Sequence, residues 1–367
     1  MLTEATRRAV RVLHAASTPH GFDRYLELVA PTWSSHEVRG RITSADRRSA
    51  GTVTLSIEAN RNWTGFEAGQ YVQLGVEVDG VRHTRCYSLA HSAAGPSRRL
   101  ELTVKAHPGG VVSNHLVERA APGMIVGLSP AQGDFTLPPC RPAHILLISG
   151  GSGITPVMSM LRTLCDEGHT GAVTFVHYCP GPGHLSYGPE LAALARAHPH
   201  VRLVRVYTDQ PGTGDLDEEV DGFVTEAQLD AVDPAWRSAE TFVCGPAALM
   251  AAVEQLYDDA GVGAHLHSEA FTLARLVVEA DGAITGRVTF AASAVSVVSD
   301  GRPVLEQAEA AGLRPASGCR MGICHTCVCP LVSGAVRDVL TGAVTSTPGE
   351  QIRICVSAPL GDVEVAL

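Results

Sequence analysis

The sequence predicts a multidomain protein in which an antiparallel β-barrel precedes a parallel-sheet α/β domain and a small α+β module. Short alternating strands separated by turns fill residues 38–138, and strands alternating with helices fill residues 139–272. A group of closely spaced cysteines follows near the C-terminus. Consecutive short strands are typical of small barrels, whereas β/α alternation is typical of parallel sheets with crossover helices.

The bulk properties favour a soluble protein of about two to four domains, because 367 residues exceed one typical core. A net charge of −10 argues against nucleic acid as the main partner. No apolar run is long enough to span a bilayer, and the N-terminus lacks the apolar stretch of a signal peptide. We therefore expect a cytoplasmic protein, and we expect it to be a monomer.

The barrel predicted from strands at residues 52–58, 71–78 and 100–105 carries a first candidate site at Arg85, Tyr87 and Ser88. An arginine can neutralise a pyrophosphate through two parallel hydrogen bonds. On a strand Tyr87 shares a face with Arg85 and can stack on a flat ring, to which a neighbouring hydroxyl can donate. Taken alone, the pattern is also that of an ordinary strand.

A second candidate in the barrel is the run Gly110, Val111, Val112 and Ser113. Ser113 is predicted to be the N-cap of a short helix through Arg119, whose N-terminal amides would face an anion. A plain junction between a loop and a helix explains the run equally well.

In the α/β domain, a buried strand at residues 144–149 runs into a glycine turn. Thr155 is predicted to be the N-cap, and Pro156 the first residue, of a helix that continues to about Asp166. A strand, a glycine turn and a capped helix place a phosphate site at the carboxyl end of the strand. The candidate contacts are Gly151, Gly153, Ile154, Thr155 and Pro156. The turn does not have the G-x-G-x-x-G pattern.

Further candidates lie at strand ends, where ligands collect in open α/β sheets. Cys244 stands before Gly245 and Pro246, and Glu269 and Phe271 end the domain. Buried cysteines are common in cores, so Cys244 alone also has a packing explanation. The remaining predicted elements are strands at residues 173–178, 201–207, 241–244 and 264–271 and helices at residues 189–197 and 247–260.

The cysteines Cys319, Cys324 and Cys327, with Cys355 further on, have the spacing C-x4-C-x2-C…C. This is the plant-type spacing for a [2Fe–2S] cluster, in which a tight loop supplies three thiolates and a distant residue the fourth. The alternative, a structural zinc site, usually has two Cys or Cys/His pairs separated by a spacer, which this segment lacks.

In this order the motifs resemble the ferredoxin–NADP reductase superfamily, and the C-terminal segment resembles a plant-type ferredoxin of the β-grasp fold fused to it. The motifs are Arg85-x-Tyr87-Ser88, Gly110-x-x-Ser113, Gly150-Gly-x-Gly-Ile-Thr-Pro156, Cys244-Gly-Pro246 and Glu269-x-Phe271. The resemblance implies an N-terminal helical extension (1–36), a flavin-binding barrel (37–138), an NAD(P)-binding domain (139–272), a linker (273–285) and a [2Fe–2S] domain (286–367).

The resemblance also implies roles for the candidate residues. Arg85 and Ser113, with the loop around Gly110, would hold the flavin phosphates, while Tyr87 and Ser88 would contact the flavin ring. The residues from Gly151 to Pro156, with Gly245 and Pro246, would hold the dinucleotide, Cys244 would lie by the nicotinamide, and Glu269 and Phe271 would lie near the reactive edge of the flavin. Cys319, Cys324, Cys327 and Cys355 would ligate iron.

The implied function is electron transfer from NAD(P)H through a flavin and a [2Fe–2S] cluster to a partner oxygenase, hydroxylase or fatty-acyl desaturase. A nicotinamide gives two electrons as hydride and the cluster accepts one, so a flavin must connect them. Residues 25–33 resemble actinobacterial reductases that supply membrane desaturases. The alternative is a flavin and iron–sulfur electron-transfer or sensor subunit of a larger complex that does not turn over.

Two cofactor choices follow from side chains near the phosphates. FMN reductases of this domain order carry an arginine before the Gly-Gly-Ser, where this chain has His107 and Pro108, so we expect FAD. No Lys or Arg lies between Tyr178 and Glu190, and Asp209 stands where NADPH enzymes often have an arginine. We therefore expect a preference for NADH over NADPH.

Overall fold

The computed structural model describes residues 30–47, 51–210, 219–271, 286–318, 320, 322 and 325–367. Most of the predicted N-terminal extension and all of the predicted linker lie outside the described residues. The chain divides into two compact units, Met1–Ala270 and Phe271–Leu367.

The first unit begins with an antiparallel sheet of six strands in the order β4-β3-β6-β1-β2-β5. A bridge between Leu89, which follows β4, and Leu102 of β5 connects the two ends of this order, so the sheet curls into a barrel. The hairpin predicted at Asp79-Gly80 joins β3 to β4, and both turn residues have the positive φ that a tight hairpin requires. The elements are β1 (Val38–Asp46), β2 (Thr52–Ala59), β3 (Tyr71–Val78), β4 (Val81–Ser88), β5 (Arg99–Lys105), α1 (Val111–Arg119) and β6 (Ile125–Leu128).

The same unit continues with six parallel strands in the order β10-β9-β8-β7-β11-β12, as the β/α alternation predicts. The strands are β7 (His144–Gly150), β8 (Ala172–Cys179), β9 (Val201–Tyr207), β10 (Glu219–Asp221), β11 (Glu240–Gly245) and β12 (Leu266–Ala270). The helices are α2 (Ile154–Asp166), α3 (Gly188–Ala197), α4 (Glu226–Val232) and α5 (Ala247–Asp259). The sequence analysis did not predict β10 or α4.

The four central strands, β9, β8, β7 and β11, are largely apolar and buried, as expected where helices cover both faces of a parallel sheet. One buried cluster joins β7, β8, β9 and β11 to α4 and α5 and includes Trp236 and Tyr257, whose rings lie 4.8 Å apart. Helix α2 contacts β7 and β11 and is buried along almost its whole length. The barrel has its own core, formed by inward residues of all six of its strands and by α1.

The second unit is the predicted α+β module of the β-grasp type. Its five-stranded sheet has the order β14-β13-β20-β15-β18, and a smaller sheet has the order β17-β16-β19. Strands β13 and β20 are parallel neighbours, and the helix packs its buried face into the same core. The elements are β13 (Arg287–Phe290), β14 (Val295–Val298), α6 (Val304–Ala310), β15 (Val328–Ser333), β16 (Val336–Asp338), β17 (Val344–Thr345), β18 (Gln351–Arg353), β19 (Ser357–Pro359) and β20 (Val363–Val365).

Candidate functional site

Strand β4 carries the first candidate residues at one end of the barrel sheet. Arg85 is partly buried and donates from Nη1 to the carbonyl oxygen of Thr84 at 2.8 Å. Tyr87 packs against the barrel core, and burial raises the pKa of its hydroxyl to about 12, so the ring stays neutral. The buried Ser88 hydroxyl has no hydrogen-bond partner among the described residues. A buried hydroxyl of this kind fits a site whose ligand supplies the partner.

The loop before α1 differs from the prediction in its cap. Helix α1 begins at Val111 with Gly110 as its N-cap, so Ser113 lies in the first turn and the prediction of Ser113 as N-cap is wrong. The Ser113 Oγ accepts from the backbone N–H of His107 at 3.2 Å. A Cβ on Gly110 would overlap this Oγ, and the close approach that glycine allows accompanies a helix that starts three residues earlier than predicted.

The turn after β7 also begins its helix without a side-chain cap. Gly151–Gly153 forms a 3₁₀ turn and α2 begins at Ile154, so Thr155 and Pro156 are the second and third helical residues. The prediction of Thr155 as N-cap and Pro156 as first residue is therefore wrong. The chain turns directly into the helix because Gly151 has a φ of +53°. The amides at the start of α2 lie at the carboxyl end of β7, which is the geometry of an anion site.

The glycine turn lies directly against the segment that follows β11. A Cβ on Gly153 would overlap the carbonyl oxygen of Cys244, and one on Gly150 would lie 2.7 Å from Cδ of Pro246. Gly245 is equally confined, since its Cβ would lie 3.1 Å from the nitrogen of Gly150. Two motifs that are distant in sequence therefore form one continuous surface.

Cys244 and Glu269 are direct register partners on β11 and β12. Cys244 is fully buried, and burial, followed by the nearby Glu269, raises the pKa of its thiol well above the ordinary value. Burial raises the pKa of Glu269 to about 8, and its Oε2 has no hydrogen-bond partner among the described residues. Around neutral pH both groups therefore hold their protons.

A series of neighbours links Glu269 to Ser88. Tyr71 of β3 pairs with Ser88 of β4. A Cβ on Gly133 would lie 3.1 Å from the Tyr71 ring and 4.0 Å from Oε1 of Glu269. The candidate residues of the barrel and those of the parallel sheet thus border one region, and each side contributes a buried polar atom without a partner. This fits a flat ring with hydrogen-bonding edges bound between them.

A row of buried polar side chains beside Cys244 was not predicted from the sequence. Ser149, the register partner of Cys244, has its Oγ 2.8 Å from Nδ1 of His177. Burial, followed by the charge of Lys105, lowers the pKa of His177 to about 4, so the imidazole is neutral. Arg205, the register partner of His177, is also buried. The sequence did contain a signal for this row, because polar residues stand there within otherwise apolar strands.

The structure describes two of the four predicted cluster ligands, Cys327 and Cys355, and both are buried. The other two, Cys319 and Cys324, lie outside the described residues. The backbone N–H of Ile354 donates to the carbonyl oxygen of Cys327 at 3.3 Å, which brings the two cysteine-bearing segments together. Two thiols from separate segments at the end of a tight loop fit the donor set of a [2Fe–2S] cluster.

Three described residues in the segment before Cys327 have left-handed backbone. Arg320, Gly322 and His325 have φ values of +59°, +75° and +53°, in the left-handed region. A Cβ on Gly322 would lie 3.1 Å from Val356, so glycine serves both the conformation and the close approach.

The three parts of the chain match three known domain families. Residues 40–137 match the oxidoreductase FAD-binding domain, residues 147–255 the oxidoreductase NAD-binding domain, and residues 288–360 the 2Fe-2S iron-sulfur cluster binding domain. The expected FAD, nicotinamide dinucleotide and [2Fe–2S] cluster are thereby confirmed as cofactors.

The chain is also similar to whole proteins. An NADPH oxidoreductase of Mycobacterium tuberculosis is 40% identical over 350 residues, which cover 94% of this chain and 88% of the relative. The glycine betaine monooxygenase reductase subunit of Pseudomonas aeruginosa is 31% identical over 319 residues, covering 82% and 87%. The solved structure of a phthalate dioxygenase reductase has the same fold, with a TM-score of 0.60 and 24% identity over 90% of this chain and 97% of that one.

A flavin barrel, a nicotinamide domain and a [2Fe–2S] domain in this order define a class of modular electron-transfer reductases. This chain belongs to the ferredoxin–NADP reductase superfamily, in the group with a C-terminal plant-type [2Fe–2S] domain. Within the described ranges, no helix has the length and apolar character needed to cross a membrane.

Proposed function

We propose that this chain transfers electrons from NAD(P)H through FAD and the [2Fe–2S] cluster to a partner oxygenase, hydroxylase or membrane fatty-acyl desaturase. The main support is that the glycine turn, Cys244 and Glu269 border the same region as Ser88 of the barrel. A bound flavin accepts a hydride and releases electrons singly, so it connects a two-electron donor to a one-electron acceptor. The similarity to a monooxygenase reductase subunit supports an oxygenase as the partner.

On the flavin side, Arg85 and the loop around Gly110 and Ser113 would hold the phosphates through charge and helix amides. Tyr87 would stack on the ring, and the Ser88 hydroxyl would donate to its edge. The ring would thereby supply the partner that this buried hydroxyl lacks among the described residues.

On the nicotinamide side, the amides of the glycine turn would bind the dinucleotide phosphates beside Ile154, with Gly245 and Pro246 forming the adjoining wall. Cys244, as a neutral thiol, would border the nicotinamide without adding charge. Glu269, whose pKa is raised to about 8, would hold a proton near the reactive edge of the flavin. For Phe271 we propose the role predicted from the sequence, near the reactive edge of the flavin.

In the second unit, Cys319, Cys324, Cys327 and Cys355 would ligate the cluster. We further propose the division predicted from the sequence, with a barrel at 37–138, a nicotinamide domain at 139–272 and a cluster domain at 286–367.

The route is tested by mixing the purified holoprotein with NADH in a stopped-flow spectrometer. Rapid loss of flavin absorbance, followed by slower bleaching of the cluster and by reduction of cytochrome c, is the expected sequence of events. A subunit that does not turn over would show no fast flavin bleaching, and that result would overturn the proposal.

For the dinucleotide we propose NADH over NADPH. Asp209 is exposed after β9, and its backbone N–H donates to the carbonyl oxygen of Pro180 in the loop after β8 at 3.2 Å. This bond joins the ends of β8 and β9 and places Asp209 at the carboxyl edge of the sheet, the edge at which ligands bind in open α/β sheets. A negative charge there opposes a 2′-phosphate.

The partner is best identified by a pull-down with the intact holoprotein, in which an oxygenase, a hydroxylase or a desaturase is recovered at reproducible stoichiometry. Recovery of a partner that contains no oxygen-activating centre would contradict this part of the proposal.

A further inference from the structure

One face of α2 contacts the loop that follows β4, the strand that carries Arg85, Tyr87 and Ser88. Helix α2 begins at the glycine turn of the nicotinamide side, and Ser159, Arg162 and Thr163 are spaced so that they lie on one side of it. The loop begins at Ala90, two residues after Ser88. These side chains therefore connect the two halves of the site.

Three hydrogen bonds make this connection. The Ser159 Oγ donates to the carbonyl oxygen of His91 at 2.7 Å, and Arg162 Nη1 donates to that of Ala90 at 2.6 Å. The backbone N–H of Ala93 donates to Oγ1 of Thr163 at 2.9 Å. Each bond joins a side chain of α2 to a backbone atom of the loop. The position of the loop on the helix therefore does not depend on the side chains of the loop.

Arg162 of α2 also forms ion pairs with carboxylates on two other elements, β5 and α3. Its Nη1 lies 2.6 Å from Oε1 of Glu101 on β5, and its Nε and Nη2 donate to the two carboxylate oxygens of Glu190 on α3 at 2.7 Å each. The guanidinium carbon lies 5.2 Å from the centre of the Tyr187 ring. Only 13% of the Arg162 side chain is exposed, so these charge-assisted bonds are weakly screened.

These bonds set the separation between the glycine turn and the Ser88 end of the barrel, and hydride transfer depends on that separation. Helix α2 runs without a break from Ile154, beside the glycine turn, past Arg162, and Arg162 holds the loop at Ala90, two residues after Ser88. A misplacement of about 1 Å between reacting groups can cost about a hundredfold in rate. A side chain that sets the separation of the two halves therefore controls the rate without touching either ring.

We propose that Arg162 is a positioning residue for hydride transfer, acting by holding the flavin barrel against the helix of the nicotinamide site. This proposal rests on the proposed function. In that reaction a hydride, with its two electrons, leaves the dihydronicotinamide, which becomes NAD(P)⁺, and reduces the flavin.

The test compares Arg162→Met, Arg162→Lys and Ser159→Ala with the control Arg237→Met. Arg237 also pairs with two carboxylates, those of Glu226 and Asp230 on α4, and its guanidinium lies over the Trp236 ring, but none of these residues belongs to the barrel. Flavin reduction by NADH is followed by stopped flow, together with the long-wavelength band that forms when NAD⁺ is added to the reduced protein. Amide hydrogen exchange at Ala93 is measured in the apoprotein, which requires no loaded cofactor.

For Arg162→Met the expected result is a reduction rate constant at least about tenfold lower, a weaker long-wavelength band and faster exchange at Ala93. The KM for NADH and the FAD affinity should stay within about twofold. Arg162→Lys keeps the charge but loses the planar guanidinium group. Its rate constant, band intensity and exchange rate should therefore lie between those of Arg162→Met and those of the wild type. Arg237→Met should leave the rate, the band and the exchange unchanged, because its partners lie outside the barrel.

If folded Arg162→Met reduces its flavin at the wild-type rate with an unchanged band, or if Arg237→Met loses rate equally, the positioning role is excluded. Should Arg162→Met fail to fold, Ser159→Ala decides, with a rate loss of about threefold or more expected and an unchanged rate excluding the role. A wild-type protein that NADH does not reduce would instead remove the proposed function, and the role of Arg162 with it.

Discussion

Cys244 and Glu269 lie side by side on β11 and β12, the thiol buried and the carboxyl partly buried, and burial raises the pKa of both groups. Their pairing places a neutral thiol and a protonated carboxyl in the row that continues to Ser149 on β7. Neither group adds a charge to the region between the barrel and the sheet at neutral pH. The site is therefore suited to bind an uncharged ring system and to keep a proton at its edge.

The raised pKa of Glu269 predicts a pH-dependent stability. Because the folded-state pKa, about 8, lies above that of the unfolded chain, the folded protein binds the extra proton, and this stabilisation is lost as the pH rises through about 8. Glu269→Gln removes the titration. Thermal unfolding of the apoproteins from about pH 5 to about pH 9 should thus show a Tm difference, variant minus wild type, that increases with pH.

The control for this experiment is Glu254→Gln, at an exposed position of α5. Its Tm difference from the wild type should stay constant with pH. A constant difference for Glu269→Gln as well would mean that Glu269 ionises normally in the folded protein.

The cluster assignment predicts a separation of two activities. Cys324→Ser should abolish cluster absorbance and electron transfer to cytochrome c, because one of the four iron ligands is lost. Reduction of ferricyanide by NADH should survive, since ferricyanide can take electrons at the flavin. Cys329→Ser is the matched control, because Cys329 is a buried cysteine of β15 outside the ligand pattern.

Loss of both activities in Cys324→Ser would show that the units do not act as separate modules. Loss of the cluster in a folded Cys329→Ser protein would assign the ligands differently.

The proposed role of Arg85 predicts weaker flavin binding. Arg85→Ala removes a charge-assisted phosphate contact worth roughly 1.5–3 kcal/mol, so the FAD dissociation constant should rise about ten- to a hundredfold. Equilibrium titration of the apoprotein with FAD measures this directly, and added FAD should restore activity. Arg82→Ala, at an exposed position three residues earlier on the same strand, should leave the affinity unchanged. An unchanged affinity in Arg85→Ala would exclude the phosphate contact.

The order of domains could be predicted because each part has its own hydrophobic period. Alternation marks the barrel strands and continuous apolar runs mark the parallel ones. Strand β10 has only three residues, which is too short to show a hydrophobic period. Helix α4 could have been predicted from a capping pattern. The spacing of Thr225 and Gln228 is that of a capping box, and in the structure the Thr225 side chain accepts from the backbone N–H of Gln228.

The site was predictable only where it depends on strand ends. Cys244 and Glu269 could be placed together because carboxyl ends of parallel strands share one edge. The caps at Ser113 and Thr155 were wrong because glycine turns, whose geometry depends on close contacts, replace side-chain caps. The bonds from Arg162 to Glu101 and Glu190 join residues far apart in sequence, so no local pattern indicates them.

The last prediction concerns the choice of dinucleotide. A carboxylate near a 2′-phosphate costs roughly 1–4 kcal/mol at close range, so kcat/KM should favour NADH over NADPH by about 5- to 1,000-fold. Asp209→Arg should narrow this difference, mainly by lowering KM for NADPH, because it replaces a repulsive charge with an attractive one. Glu254→Arg makes the same change of charge on an exposed face of α5 and should not alter the ratio. Steady-state kinetics with both dinucleotides at low and high salt provides the measurement, since screening should weaken the discrimination. A wild-type preference for NADPH would mean that a cation from another part of the chain reaches the 2′-phosphate and outweighs Asp209.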